Sequence, residues 1–557
     1  MIDTARHARG AYYTPRWLAD LILDEAGYEG APGVRLLDPS CGEGVFLAAA
    51  IERARAHGNR DRILREIHGF EIDPQSAETA RAAYLEALGD LAAGLQPADV
   101  PVRCVDAILQ PPEVEPFDLV AGNPPWVRWD HLTAEYRQAT LPLWKRYGLF
   151  SLKGFDAVSG AGKKDLCMLF TYVAAERFLR TGGKLAFLVT QEVFKSKGAG
   201  EGFRRFHIGL DGPPLRVIAA HDFVALRPFR DAANKSAALL LIKGEPTEYP
   251  LPYCVWTRDK SGSLAKQTLA ARPIGSVTGP WRTTSPEDSG PSSLEGPNAY
   301  KPVLGFNANP YGVFWLEVQQ LLSGGLAEVR NLPELGKSAI PAVSALLEAE
   351  PIYPAVRGAD IRPWRATPGV HVLVVQDPVA RYGYPEDLLR ARWPGVLNYL
   401  EQFREILLAR ALYRRYHRDS ARPYYSQFNM AASAFAPFKV VWRRMTNDIA
   451  AAVISCWDGP LGTKIVLPLE TTAFIGVASA EEAHYLCAYL NSNGVRSFVK
   501  SFSAAGRGFG TPSTVGRVRI PKFDPANATH SALAAISLEC HRSPRPHAEI
   551  DALVGLL

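Results

Sequence analysis

The stretch FDLVAGNPPWVRWD, residues 117–130, places an amide, two prolines and an indole in a row at the end of an apolar run. Proline cannot donate to a strand ladder, and it drives the residue before it towards extended backbone. A strand therefore stops at Asn123-Pro124-Pro125-Trp126 in a stiff loop. The Asn123 side-chain oxygen and the Pro124 carbonyl are two acceptors fixed near one another, and Trp126 is a flat face beside them. Such a set suits an amine attached to an aromatic ring, as in adenine. The lone pair of that amine is delocalised into the ring. Two acceptors on its protons favour a more tetrahedral nitrogen, which can attack an activated methyl group in line. The indole would stack on the ring, and Pro125 stiffens the loop. No covalent intermediate is required, and the Pro-Cys dipeptide used in cytosine C5 chemistry does not occur in the sequence.

A second group of residues supplies the place for a methyl donor. In LLDPSCGEGVF a strand ends at Asp38, and Gly42 and Gly44 allow a tight turn into a helix. The spacing is neither the dinucleotide GxGxxG nor a phosphate-binding loop, since no Gly-Lys-Ser/Thr follows. Glu71 ends the next apolar run in HGFEIDP, where a carboxylate can accept from ribose hydroxyls. Asp106 ends a third in RCVDAI, where it can accept from the exocyclic amine of an adenine. Each acid alone would serve as a helix N-cap. Three of them at successive strand tips favour an adenosine-bearing cofactor with no phosphate to repel, a description that fits S-adenosylmethionine. Thr14 and Pro15 in GAYYTPRW read as the N-cap and first residue of a helix.

These residues need a frame that brings strand tips to one edge. The first 244 residues alternate apolar runs (34–38, 67–72, 102–106, 117–121, 184–190, 216–221 and 236–243) with amphipathic stretches such as 46–56 and 75–88. That pattern predicts a mostly parallel sheet with helices on both faces. Only residues 223–235 separate the last two runs, too few for a parallel crossover, so the seventh strand is expected antiparallel to the sixth. Residues 246–300 are rich in Pro, Gly and Ser and read as a linker or peripheral segment. Residues 301–557 mix short strands (HVLVVQ, FKVVWRR, AAVISCW, GTKIVLPL) with helices near 395–412 and 480–500, and read as a second α+β domain.

With these motifs in place, the chain resembles the gamma group of N6-adenine DNA methyltransferases over nearly its whole length. GAYYTP, LLDPSCGEG, FEID, VDAI and NPPW stand in that family's order, followed by KKDLCMLF, GGKLAFLVTQEVF and LRPFRDAANKSAALLLIKG. Trp126 replaces the commoner Tyr or Phe, and Thr190 stands where a proline is common. The resemblance implies a Rossmann-like, seven-stranded S-adenosylmethionine-dependent methyltransferase domain (1–245) followed by an α+β target-recognition domain (301–557). It implies the activity of a site-specific adenine DNA methyltransferase (EC 2.1.1.72), acting by base flipping in restriction-modification or phage defence. On the matching positions it places the cofactor against Tyr13, Thr14, Asp38, Pro39, Cys41, Gly42, Gly44, Glu71, Ile72, Asp106, Ala107 and Asn123. Catalysis falls to Asn123, Pro124, Pro125 and Trp126. Phe229 would pack on the flipped base opposite Trp126, with Phe223 as the alternative. Residues 127–162 are expected to close over the extruded base, with 154–162 as their mobile part.

The resemblance reaches the C-terminal region through IYPAVRGADIRPW, FKVVWRRM and EEAHYLCAYLNS, and it implies double-stranded DNA as partner. Arg362, Arg365, Arg414, Arg415, Arg443 and Arg444 are candidates for phosphate or base contact, as is the Gly-rich stretch 503–517. Charge agrees. Residues 1–244 balance 30 basic against 30 acidic side chains, so the net +5 lies beyond them, and 401–444 hold nine Lys/Arg against three Asp/Glu among many aromatics. A basic, aromatic stretch suits a polyanion. The seven scattered cysteines show no CxxC or Cys/His cluster, so no metal and no disulfide framework are expected, and the usage fits a reducing cytoplasm. No apolar run is long enough to span a membrane. The first motif starts about ten residues from Met1, and no nuclease motif is apparent elsewhere, so cleavage is expected to need a separate restriction or defence subunit. Shorter enzymes that methylate RNA or a protein amide share the NPP-aromatic loop. A non-catalytic DNA-binding subunit is a further alternative, against which the intact acids and Asn123 speak.

Overall fold

The computed structural model describes residues 13–150, 164–195, 199–229, 235–288, 290, 292–336, 338–380, 382–416, 422–503, 509–543 and 548–557. The chain divides into two compact units, 1–290 and 291–557.

The first unit is built on one ten-stranded sheet. Its strands are β1 (Leu36–Asp38), β2 (Ile67–Glu71), β3 (Val102–Cys104), β4 (Phe117–Gly122), β5 (Leu179–Thr190), β6 (Leu215–Asp222), β7 (Ser236–Lys243), β8 (Leu251–Arg258), β9 (Leu264–Pro273) and β10 (Trp281–Thr284). They lie in the order β10-β9-β8-β6-β7-β5-β4-β1-β2-β3. From β3 to β5 all neighbours are parallel, and β7 inserts antiparallel between β5 and β6. The expected antiparallel pairing of the sixth and seventh strands is therefore present. The central strands read as unbroken apolar runs, as strands buried on both faces do: the last six residues of β5 (LAFLVT) and the first six of β7 (SAALLL) are nearly all buried.

Helices fill the crossovers. Helix α1 (Arg16–Ala26) stops where Gly27 takes a left-handed φ of 71° and turns its N–H back onto the last turn. Helix α2 (Val45–Arg55) starts directly from the Gly-rich loop. Helix α3 (Pro74–Leu88) starts with proline at its first position, and the Asp73 carboxylate accepts from the Ser76 N–H. Helix α4 (Ala134–Arg146) follows the Asn-Pro-Pro-Trp loop. Helix α5 (Leu166–Arg177) is apolar around most of its circumference and buried for ten of its twelve residues.

The structure corrects the reading of 246–300. Three of its stretches are β8, β9 and β10, which continue the first unit's sheet: β8 pairs parallel with β6, and β9 and β10 follow as antiparallel hairpins. Trp281 is fully buried and stacks on Phe194, ring centroids 4.6 Å apart. The buried Arg204 guanidinium ties the same region down, donating to the Thr278 carbonyl at 3.0 Å and to the Val193 carbonyl at 2.6 Å. The unit boundary therefore falls at 290 rather than 245.

The second unit is α+β, as expected. A six-stranded sheet runs in the order Ser344–Glu348, Leu326–Asn331, Trp315–Leu321, Val370–Leu373, Ile352–Val356, Leu467–Pro468. A four-stranded sheet runs Val303–Leu304, Thr472–Val477, Phe438–Arg443, Ala451–Ile454. Helices Pro394–Glu401, Ala480–Asn491, Asn493–Phe502 and Ala528–Arg542 complete it. Among the described residues no helix is long and apolar enough to cross a membrane.

Because β8–β10 belong to the first core, Trp281→Ala should destabilise the chain by about 3–5 kcal/mol, the usual cost of emptying a buried aromatic site. Urea unfolding measures this. A change below about 1 kcal/mol would return the segment to a peripheral role.

Candidate functional site

The parallel part of the sheet brings the sequence motifs to one edge. Asp38, Glu71 and Gly122 are the last residues of β1, β2 and β4, Asp106 follows β3 by two residues, and Asn123 follows β4 directly. Three carboxyl groups and one amide thus occupy adjacent strand tips, the carboxyl edge at which open α/β sheets hold ligands.

Asp38 and Gly122 approach closely. A Cβ on Gly122 would lie 2.3 Å from Asp38 Oδ1, so only glycine fits beside this carboxyl. Asp38 is fully buried, and its Oδ1 accepts from the Ser40 N–H at 3.1 Å. Burial pushes its pKa up to about 8, and the charge of Glu71 adds to the shift. Burial likewise raises Glu71, partly offset by two N–H groups: its carboxylate accepts from Gly42 N–H at 2.9 Å and from Asp73 N–H at 2.8 Å. Glu71 therefore pins the Gly-rich loop to the second strand. Gly42 has a left-handed φ of 54°, and a Cβ there would meet no atom within 4 Å, leaving an open cradle over the loop. Gly44, with φ 89°, passes close to the Ala80 backbone of α3. The Cys41 thiol is buried under Gly69, and burial holds it well above the usual thiol range.

Asp106 Oδ1 accepts from the N–H groups of Ile108 (2.8 Å) and Leu109 (3.0 Å). The Tyr136 hydroxyl of α4 also feels this carboxylate, a neighbour the sequence did not indicate. Ala107 and Pro39 are buried, whereas Ile72, at 57% exposure, offers an apolar face next to Glu71. Tyr13 is exposed.

Thr14 departs from expectation. Helix α1 has Pro15 as its N-cap and no side-chain cap bond. The Thr14 hydroxyl instead accepts from Asn123 Nδ2 at 3.1 Å. The other end of that amide, Asn123 Oδ1, is buried with no hydrogen-bond partner. Pro124 is buried and Pro125 half-buried. Trp126 is buried, and its indole N–H points to the Leu188 carbonyl of β5 at 3.4 Å. Phe229 meets Trp126 edge to face, ring centroids 5.0 Å apart and planes at 75°. Phe223 is fully buried and stacks on His221. A ring sandwiched between Trp126 and Phe229 needs roughly two contact distances, ~7 Å, so the pair must part to admit one.

Arg128 and Trp129, just past the motif, both have partners within the first unit. Arg128 forms a bidentate pair with Asp130, and Trp129 packs on Trp144 of α4 and on Phe150. Residues 151–163, which include the expected mobile stretch, lie outside the described residues.

In the second unit the arginines separate. Arg443 donates through Nε (2.9 Å) and Nη2 (2.7 Å) to the Ile361 carbonyl, a structural use that the sequence reading did not foresee. Arg362 is exposed and turns Nη1 onto the Ala359 and Ile361 carbonyls. Arg444 lies against Glu470, whose carboxyl is raised by burial. Arg365 and Arg414 are exposed. The Arg415 side chain and residues 504–508 of the Gly-rich stretch lie outside the described residues. Among the described residues no group of three or more His, Cys, Asp or Glu is placed to hold a metal ion.

Residues 2–208 match the family described as N-6 DNA Methylase. That part of the chain is similar to N-6 DNA methylases. Related proteins include Type II methyltransferase M.XhoI of Xanthomonas vasicola, 30% identical over 47% of this chain and 45% of that protein. Another is Type II methyltransferase M.BanIII of Aneurinibacillus aneurinilyticus, 31% identical over 35% of this chain and 33% of that protein. The matched regions span less than half of these relatives. In fold, the chain is similar to the Type IIL restriction-modification enzyme MmeI solved with DNA, with a TM-score of 0.57, 12% identity and coverage of 100% of this chain and 74% of that one. It is also similar to a nuclease-deletion mutant of the Type ISP enzyme LlaGI with a DNA substrate mimic, with a TM-score of 0.52, 12% identity and coverage of 96% and 47%. A methylase draws on a methyl donor, and the first unit's strand tips suit a polar one. Gly42 leaves an open cradle bordered by the Glu71 carboxylate, Asp106 follows the neighbouring strand tip, and Ile72 presents an apolar face.

A carboxyl whose pKa rises from 3.8 to about 8 on folding binds its proton more tightly in the folded chain. Its contribution to stability is then full below about pH 4 and is lost as pH climbs towards 8. Asp38→Asn removes that loss. In thermal melts without cofactor the variant should be the more stable by several degrees at pH 8, and the difference should shrink towards zero near pH 4. A constant difference across that range would contradict the assignment.

Proposed function

We propose that this chain transfers a methyl group from S-adenosylmethionine to the N6 amine of an adenine flipped out of double-stranded DNA at a specific sequence, in a restriction-modification or phage-defence setting. The observation that carries the reading is the Asn123 amide. Its oxygen is a buried acceptor with no partner, one residue past the end of β4, and an unpaired buried acceptor is expensive unless a ligand donor fills it. An aromatic amine supplies such a donor, and the Pro124 carbonyl takes its second proton.

The cofactor, when bound, supplies an activated methyl group on a positively charged sulfur. The residues of the chain do the rest. Glu71 and Asp106 would hold the ribose and the adenine of the cofactor, with Ile72 as an apolar face for the ring. Asp38, neutral by burial when alone, is drawn back to its ionised form by a nearby cation. Asn123 and Pro124 hold the target amine so that its lone pair faces the methyl carbon, and Trp126 fixes the plane of the base. The Asn123 oxygen and the Pro124 carbonyl would hold the two protons of the amine, and the surplus proton would pass to solvent once the methyl group is in place. Residues 301–557 would choose the sequence, with Arg362, Arg365 and Arg414 as the arginines with most freedom to reach DNA. Arg443 serves better as a strut. Cleavage, where the system has it, would come from a separate subunit.

Labelled S-adenosylmethionine and plasmid DNA test this directly, with nucleoside analysis of the product. Label should appear in N6-methyladenine. Label in RNA or protein and none in DNA would overturn the substrate. Asn123→Ala should lower the rate ~10²–10³-fold, the cost of losing a preorganised polar group at the reacting centre. Trp126→Ala should cost about 1–3 kcal/mol in the single-turnover reaction, the range for one base–aromatic stack.

A further inference from the structure

Thr14 and Asn123 stand 109 residues apart in sequence and share one hydrogen bond. A threonine just before a helix usually spends its hydroxyl on capping, but α1 has no such bond. Thr14 is 5% exposed, and Pro15 after it, at φ −61° and ψ 140°, anchors it to the helix start. The residue before a proline is held in extended backbone, so this hydroxyl is presented from a rigid support.

The bond matters because an amide has two different ends. The last torsion of asparagine is broad and close to two-fold, so a free side chain presents oxygen or nitrogen with little preference. Facing a target amine, the nitrogen end would set donor against donor. The structure places Nδ2 on Thr14 and leaves Oδ1 buried and unpartnered. We infer that Thr14 is a positioning residue for methyl transfer, holding the Asn123 nitrogen so that the oxygen is turned to the incoming amine. The inference rests on the reading of Asn123 given above, and it assigns Thr14 a task distinct from contact with the cofactor.

Two substitutions isolate that task. Thr14→Val keeps the side-chain shape and removes the hydroxyl, and Thr14→Ser keeps the hydroxyl. Thr14→Val should slow single-turnover methyl transfer about tenfold, the scale of one lost hydrogen bond. Cofactor affinity and the KM for DNA should stay close to wild type. Thr14→Ser should restore the rate, and adding Thr14→Val to Asn123→Ala should slow the reaction no further. A wild-type rate in Thr14→Val, a loss that serine fails to restore, or a loss that falls on cofactor affinity instead of rate would each overturn the inference. If the wild type methylates no DNA, the reading of Asn123 fails, and hydrogen exchange of the Asn123 side-chain amide still decides the inference. Its signal is assigned by its disappearance in Asn123→Ala. Exchange should quicken in Thr14→Val, and unchanged exchange would refute the hold by Thr14.

Discussion

No side chain larger than hydrogen fits at residue 122, because Asp38 occupies the space. That close approach governs the edge of the sheet. With Gly122 lacking a Cβ, β4 can run alongside β1 while Asp38 stays buried between them, and the chain then emerges into Asn123 next to the Gly-rich loop. The loop in turn depends on Glu71, whose carboxylate holds the Gly42 N–H. A cradle made of backbone and one made of acids are thus a single object, each fixing the other. The desolvation that raises Asp38 comes from the same packing that lets the strand tips sit together.

Most of the candidate site was legible because each candidate residue ends or closely follows an apolar run. Asp38, Glu71, Asp106 and Asn123 mark the ends of strands, and parallel pairing places such ends on one edge. The partners of these residues were not legible. Thr14 and Asn123 are joined only by the fold. Tyr136 reaches Asp106 from a helix whose sequence reads as an ordinary amphipathic stretch. Arg443 sits in a basic cluster that looks made for a polyanion, yet the Ile361 carbonyl holds it. Charge composition reports the surplus of arginine but not which guanidinium is already engaged.

The fold shows the same division. The starts and ends of most strands in the first unit were visible, but β5 begins at Leu179, five residues before the apolar run, because the chain continues through Gly182 and a register shift against β4. The three outer strands were read as a linker on composition. Edge strands tolerate proline and polar residues that central strands exclude, and β9 has only two buried residues in ten. Composition therefore says linker where pairing says sheet.

The Trp126–Phe229 contact also bears on selectivity. An edge-to-face aromatic pair contributes about 0.5–1.5 kcal/mol beyond its area burial. Any base that enters must replace that contact with a better one. A purine, with its larger ring, does so more readily than a pyrimidine. On the proposed function, the resting pair would act as a filter on stacking strength, applied before Asn123 tests for an amine.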